Sequence, residues 1–300
     1  MAIGNTYMGE RFMSHAKKVW LITGASSGFG KSLAEAVIAN GDCVAITARR
    51  LERLQAIAQG HEDRVLPLAV DVTDAAARDK AVADTLARFG RIDVLANVAG
   101  RGVAGACEEF SLAQLREQME LNFFAAAEMS RAVLPQMRKQ GSGNILTVSS
   151  IAGLVAMNAA GPYCAAKFAI EGWTEALAIE AKPLGIHVTL VEPGAFRTEF
   201  AGDVNMRPLQ RIDAYRPMVE PFETYLETSA GKQMGDPAKA AQRMLEVVAS
   251  DAPPVRLMLG RDAYSIWDAT LAKRQEDLNS WRERGEDTAF DDAEVVEIRL

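Results

Sequence analysis

The stretch Val19-Trp20-Leu21-Ile22-Thr23-Gly24-Ala25-Ser26-Ser27-Gly28-Phe29-Gly30 decides the fold. Its first five residues form a β-rich run that is apolar on consecutive positions, as a strand covered on both faces must be. The run passes directly into a turn with glycines at Gly24, Gly28 and Gly30, and a helical period follows. Glycine suits such a turn because the backbone bends sharply and can approach a diphosphate with no Cβ in the way. The free N–H groups and the positive dipole end of the next helix then face the phosphates. Glycine-rich turns also serve plain packing. A position after the first strand of a strand–helix repeat favours the phosphate-binding reading, with Gly24, Ser26, Ser27, Gly28, Phe29 and Gly30 as contacts.

Outward from this turn the same alternation repeats. Further β-rich runs lie at Cys43–Thr47, Val65–Val70, Ile92–Asn97, Asn144–Ser149, Ile186–Val191 and Val255–Leu259. Segments of helical period lie at 29–40, 51–59, 74–89, 111–139, 161–182 and 236–250. This order predicts an α/β fold, a single-domain, Rossmann-like, doubly wound and mostly seven-stranded parallel sheet with helices on both faces. Asn40-Gly41 marks a helix end, Thr73-Asp74 and Ser111 mark helix starts, and Pro135 predicts a bend or an end near it. From 195 to 235 no clean period survives, but Phe, Tyr and Met abound, which predicts an apolar lid over a site. The expected division is a flexible leader at 1–16, one catalytic domain at 17–284 and an acidic tail at 285–300.

The spacing of the glycines is G-x-x-x-G-x-G. In this, and in motifs that recur in order over roughly residues 17–275, the chain resembles the short-chain dehydrogenase/reductase family in its compact TGxxxGxG form. The resemblance implies a nicotinamide dinucleotide cofactor. At the end of the second strand Ala48 stands where an acidic residue would bond the ribose hydroxyls of NAD(H), and Arg49 and Arg50 follow. A guanidinium matches a phosphate in charge and in fork geometry, so NADP(H) is expected over NAD(H), with Arg49 the main contact and Arg50 the second. The resemblance also implies that Asp71 and Val72 meet the adenine. It places Asn97, Ala99 and Gly100 along the cofactor, with Val98 departing from the family's usual second asparagine. Finally, it implies that Pro193, Gly194, Phe196 and Thr198 pass the nicotinamide or the diphosphate.

The resemblance implies that the reacting groups are Tyr163 and Lys167, four apart and so on one helix face, with Ser150, thirteen residues before the tyrosine, fitting the family pattern. A free phenol titrates near pH 10, and a neighbouring ammonium is expected to lower that value. The implied chemistry is hydride transfer to a carbonyl carbon while Ser150 and Tyr163 bond its oxygen and Tyr163 supplies the proton. Asn122 matches the family's fourth residue, which supports a proton relay from Lys167. Ser149 is the alternative hydroxyl, disfavoured by spacing. Cys164 reads as a small apolar filler, and His15, His61 and His187 have no visible catalytic partner.

Composition excludes other classes. With 49% hydrophobic and 24% charged residues the chain is an ordinary globular protein. Much of its net charge of −7 lies after residue 285, where six acidic residues face Arg299 alone, so the body lacks the basic excess that nucleic acid requires. Three scattered cysteines form neither a disulfide framework nor a metal set, and no metal site is expected. No signal-like or membrane-spanning run occurs, so cytoplasmic residence is expected. The expected ligand is a small-molecule carbonyl or secondary alcohol, bulky and apolar. A non-catalytic NADP(H)-sensing regulator and an NAD(P)-dependent epimerase or dehydratase are the alternatives, the first disfavoured by the intact Ser150, Tyr163 and Lys167. The family's habit of pairing the helices at 111–139 and 161–182 implies a homodimer or homotetramer.

Overall fold

The computed structural model describes residues 17–201 and 205–290. Seven strands, β1 (Val19–Thr23), β2 (Cys43–Ala48), β3 (Val65–Ala69), β4 (Val94–Asn97), β5 (Gly143–Val148), β6 (Ile186–Pro193) and β7 (Arg256–Leu259), form one parallel sheet in the order β3-β2-β1-β4-β5-β6-β7. Chain direction reverses its march across the sheet between β1 and β4, and a crevice opens there beyond the strand ends.

Period-two alternation within buried strands divides the core into two layers. Trp20 and Ile22 point to one face, where they pack with Leu33 and Val37 of α1 (Gly28–Ala39) and Met244 of α8 (Pro237–Ala249). Leu21 and Ile145 point to the other, against Met129, Val133 and Met137 of α5 (Ala125–Gln140) and Leu177 of α6 (Gly161–Ala181). The short helix α2 (Leu51–Ala58) connects β2 to β3, and α3 (Ala75–Phe89) connects β3 to β4. The expected caps form: Asp74 accepts from the amides of Ala76 and Ala77, and Ser111 caps α4 (Leu112–Met119) in a reciprocal box with Gln114.

Three expectations change. The helix over 111–139 is interrupted at Glu120–Phe124 by a π-type turn, not at Pro135. Pro135 and Arg131 both face solvent, so water can take the Arg131 carbonyl that the proline leaves without a donor, while Val133 and Met137 hold the helix to the sheet. The lid is also more regular than its sequence: α7 (Arg216–Ser229) occupies its middle, packed through Val219 and Leu226. Finally, α9 (Arg261–Glu286) runs into the expected tail at Gly285 and Glu286. The leader, and positions 291–300 of the tail, lie outside the described residues.

Candidate active site

The glycine turn is built as tightly as its sequence implies. Gly24 has φ +70°, and a Cβ there would lie 2.8 Å from the backbone N and Cα of Ala99. A Cβ on Gly30 would lie 2.4 Å from the Gly24 carbonyl oxygen, so this glycine serves strand–helix packing and does not line the cleft. Gly28 faces the Thr198 side chain, and Phe29 packs on Phe196 with ring centroids 4.9 Å apart. The segment after β6 therefore lies directly across the turn.

These parts open into one cleft of about 1090 Å³. Gly24, Ser26, Ser27, Gly28, Phe29, Arg49, Arg50, Asp71, Val72, Ala99, Gly100, Pro193, Gly194, Phe196 and Thr198 line it, together with Asn122, Ser150, Tyr163 and Lys167. Asn97 does not. Its amide turns into the core and donates to the Ser130 hydroxyl at 2.9 Å and the Ala126 carbonyl at 3.3 Å, so its role is to tie β4 to α5. Arg50 donates to Ser26 Oγ at 3.1 Å, which sets its guanidinium at the edge of the glycine turn. Asp71 accepts from the backbone and hydroxyl of Thr73; these bonds and the nearby Arg49 charge hold its carboxyl below the usual range.

Tyr163 and Lys167 share the inner face of α6 and are 9% and 5% exposed. The Lys167 ammonium donates to the Val148 carbonyl at 2.8 Å and sits 5.6 Å from the Tyr163 ring centroid. Ser150 starts a short 3-10 turn, accepting from the Ala152 amide, and its hydroxyl stands near enough to the Tyr163 phenol to favour its ionised form. The π turn puts Asn122 beside this group, a common use of such insertions. Asn122 donates to the carbonyls of Arg101 and Gln118 and accepts from the Arg101 amide. Gly100 passes between: a Cβ there would lie 2.6 Å from Asn122 Oδ1 and 3.8 Å from Lys167 Nζ.

Electrostatics correct one expectation. The phenol of Tyr163 is pushed up, not down, because burial outweighs the effect of the nearby Ser150 hydroxyl. Burial also pulls Lys167 down to about 8, against the opposing carboxylate of Glu171. In this state the tyrosine is a protonated acid, able to give a proton to an oxygen held beside Ser150.

Several cleft residues escaped the sequence reading. Asp262 of α9 accepts from the Ala195 amide at 2.6 Å and fixes the turn after β6. Glu199 is bonded by Arg53, and Phe200 lies 5.6 Å from the Tyr163 ring. Ser149, the rejected hydroxyl, is buried against Gly153. Cys164 is packed in the apolar cluster of Val103, Phe110 and Met206, where burial raises its thiol.

A family model described as short chain dehydrogenase matches residues 18–208. The chain belongs to this family of oxidoreductases. Among its relatives is the 3-ketodihydrosphingosine reductase of Bacteroides thetaiotaomicron, 37% identical over 81% of this chain and 88% of that protein. Among solved structures, a short-chain dehydrogenase from Streptomyces avermitilis superposes with a TM-score of 0.86 at 42% identity, covering 92% of this chain and all of that one. An alcohol dehydrogenase from Thermococcus sibiricus, solved with 5-hydroxy-NADP, gives 0.67 at 25% identity over 81% and 96% of the two chains. The family supports a nicotinamide cofactor, and the close-packed glycine turn fits a dinucleotide's diphosphate. Among the described residues, no helix is long and apolar enough to cross a membrane.

Proposed function

We propose that the protein is an NADP(H)-dependent oxidoreductase that interconverts a bulky apolar ketone and its secondary alcohol. The observation that carries this reading is the Ser150–Tyr163–Lys167 group at the inner end of a cleft whose outer end is the glycine turn and an arginine pair. The bound cofactor would supply or accept the hydride. Gly24, Ser26, Ser27 and Gly28 would hold its diphosphate, Arg49 and Arg50 its 2′-phosphate, Asp71 and Val72 its adenine. Ser150 orients the substrate oxygen and Tyr163 gives it a proton, or takes one in the reverse direction. Lys167 lends the positive charge that makes the phenolate accessible, and Asn122 keeps the π turn that borders it in place.

The apolar substrate class is supported by the walls. Val103, Ile151, Met157, Phe200, Phe222 and Leu226 surround the phenol end of the cleft. A relative named for a ketosphingoid substrate fits the same class. We further propose a homo-oligomer formed through the helices at 111–139 and 161–182, where Leu112, Phe124, Phe168 and Ile179 are exposed.

The test is turnover of NADPH with long-chain and polycyclic ketones, and its loss in Tyr163→Phe. Cofactor affinity is expected to stay within a few-fold while kcat falls at least 100-fold. A variant that keeps its rate would overturn the proton-donor assignment, and a wild type that binds NADPH without turnover would overturn the reading as a whole.

A further inference from the structure

On α6 the residues Tyr163, Lys167, Glu171 and Glu175 follow one another at intervals of four, forming a single stripe from the cleft to the surface. Its lower half meets Arg256 at the start of β7. The Arg256 guanidinium bonds Glu171 at 2.6 Å, Glu192 of β6 at 2.5 Å and Glu175 at 3.2 Å. Glu171 and Glu192 are 6% and 1% exposed, whereas Glu175 is 54% exposed.

Two buried carboxylates on one guanidinium leave an excess negative charge that a protein interior tolerates poorly. Burial, and the charge of the neighbouring Glu171 carboxylate, push the Glu192 carboxyl up, to about 7. Lys167 stands one helical turn above Glu171 on the same face of α6, where the Glu171 charge favours its ammonium form. Other charged residues stand on the elements packed against α6: Arg116 and Glu117 on α4, Glu120 in the π turn, Glu128, Arg131, Arg138 and Lys139 on α5, His187 and Glu192 on β6, and Lys182 in the turn after α6. The one whose charge bears on Lys167 is Glu171.

Resting on the oxidoreductase reading above, we propose that Glu171 is a positioning residue for the reaction at Tyr163. Its carboxylate, clamped by Arg256 and crowded by Glu192, keeps charged the Lys167 ammonium that the Val148 carbonyl holds beside the Tyr163 ring. The surroundings hold the carboxylate where it is needed. A Cβ on Gly153 would meet both Glu171 Oε1 and Ser149 Oγ within 3.0 Å, so the 3-10 turn that begins at Ser150 also closes over this carboxylate. The turn that Ser150 caps therefore also packs against the Glu171 side chain.

The test compares Glu171→Gln, Glu192→Gln and Glu175→Gln in the full chain. The 13Cε signal of Lys167, assigned by its loss in Lys167→Arg, is titrated without cofactor, and the pH profile of kcat is recorded separately. In Glu171→Gln the Lys167 midpoint and the alkaline limb of kcat should both move to lower pH by about one unit or more. In Glu192→Gln they should stay or move up, because Glu171 loses the neighbour that competes with its charge. Glu175→Gln should leave both in place. A Glu171→Gln protein that folds, as judged by its melting curve, and loses kcat equally at every pH would reduce Glu171 to a packing role and overturn the proposal. So would an unshifted NMR midpoint. Because the NMR titration needs no turnover, an inactive wild type would overturn the oxidoreductase reading and leave this test standing.

Discussion

Glu199, just past the β6 turn, accepts from Arg53 Nη1 through both carboxylate oxygens, at 3.1 and 3.2 Å, across 146 residues of sequence. Arg50 approaches the same carboxylate at 3.8 Å. The start of the lid is thus tied to the basic edge where the proposed 2′-phosphate would sit, and Glu199 would compete with that phosphate for its guanidinium groups. All three side chains are about half exposed, so the pairs add little stability. Glu199→Gln should therefore leave the melting temperature nearly unchanged and lower KM for NADPH several-fold, with little effect on NADH. Equal changes for both cofactors would show that the carboxylate acts on lid opening and not on phosphate recognition.

Arg49 bears on cofactor choice more directly. It lines the cleft beside Ala48, and its charge is felt by Asp71. Arg49→Asp replaces an attraction for the 2′-phosphate with a repulsion and offers an acceptor to ribose hydroxyls. The ratio of kcat/KM for NADPH over NADH should fall by at least 100-fold, about 2.7 kcal/mol of discrimination. An unchanged ratio, measured by steady-state kinetics with one ketone, would remove Arg49 from the phosphate site.

Two glycines of this chain make opposite predictions. A methyl group on Gly100 would collide with Asn122 Oδ1, and Asn122 cannot retreat because Arg101 and Gln118 hold its amide. Gly100→Ala should displace the residues around Lys167 and lower kcat about 10- to 100-fold. Gly172 of α6 has open space around its Cβ position, and Gly172→Ala should raise stability by up to about 1 kcal/mol. Thermal melts and kcat together separate the two, and a Gly100→Ala enzyme of normal rate would show that the Asn122 geometry is not critical.

What could be read from the sequence was what repeats. Strands buried on both faces give unbroken apolar runs, so the sequence places β1 to the residue. The lid helix α7 was hidden because Pro221 lies inside it and only Val219 and Leu226 are buried. The π turn at Glu120–Phe124 has no periodic signature, since one extra residue in a helix looks like a continuing helix. Asn97 stood in a matching motif, yet a motif does not say which way an amide points, and this one points into α5. The spacing of the stripe from Tyr163 to Glu175 is visible in the sequence. Its meaning is not, because Arg256 lies 85 residues further along the chain. The direction of the Tyr163 shift was also out of reach, since neighbours can be listed from sequence but burial cannot.

Glu192 supplies a pH dependence of stability with a definite sign. Its carboxyl has an ordinary value of 4.5 and is pushed up to about 7 by burial and by Glu171. Between those two values the folded protein holds a proton that the unfolded chain releases, so folding becomes less favourable as pH rises through that window. The contribution is fully present below about 4.5 and lost above about 7. Glu192→Gln keeps an oxygen for Arg256 and cannot ionise, so it removes this loss. The variant should melt close to the wild type at pH 5 and about 2–4 °C above it at pH 8. Melting curves of the cofactor-free protein across this range make the comparison. A variant less stable than wild type at pH 8 would mean that Arg256 needs both negative charges, and that its attraction for Glu192 outweighs the cost of burying them.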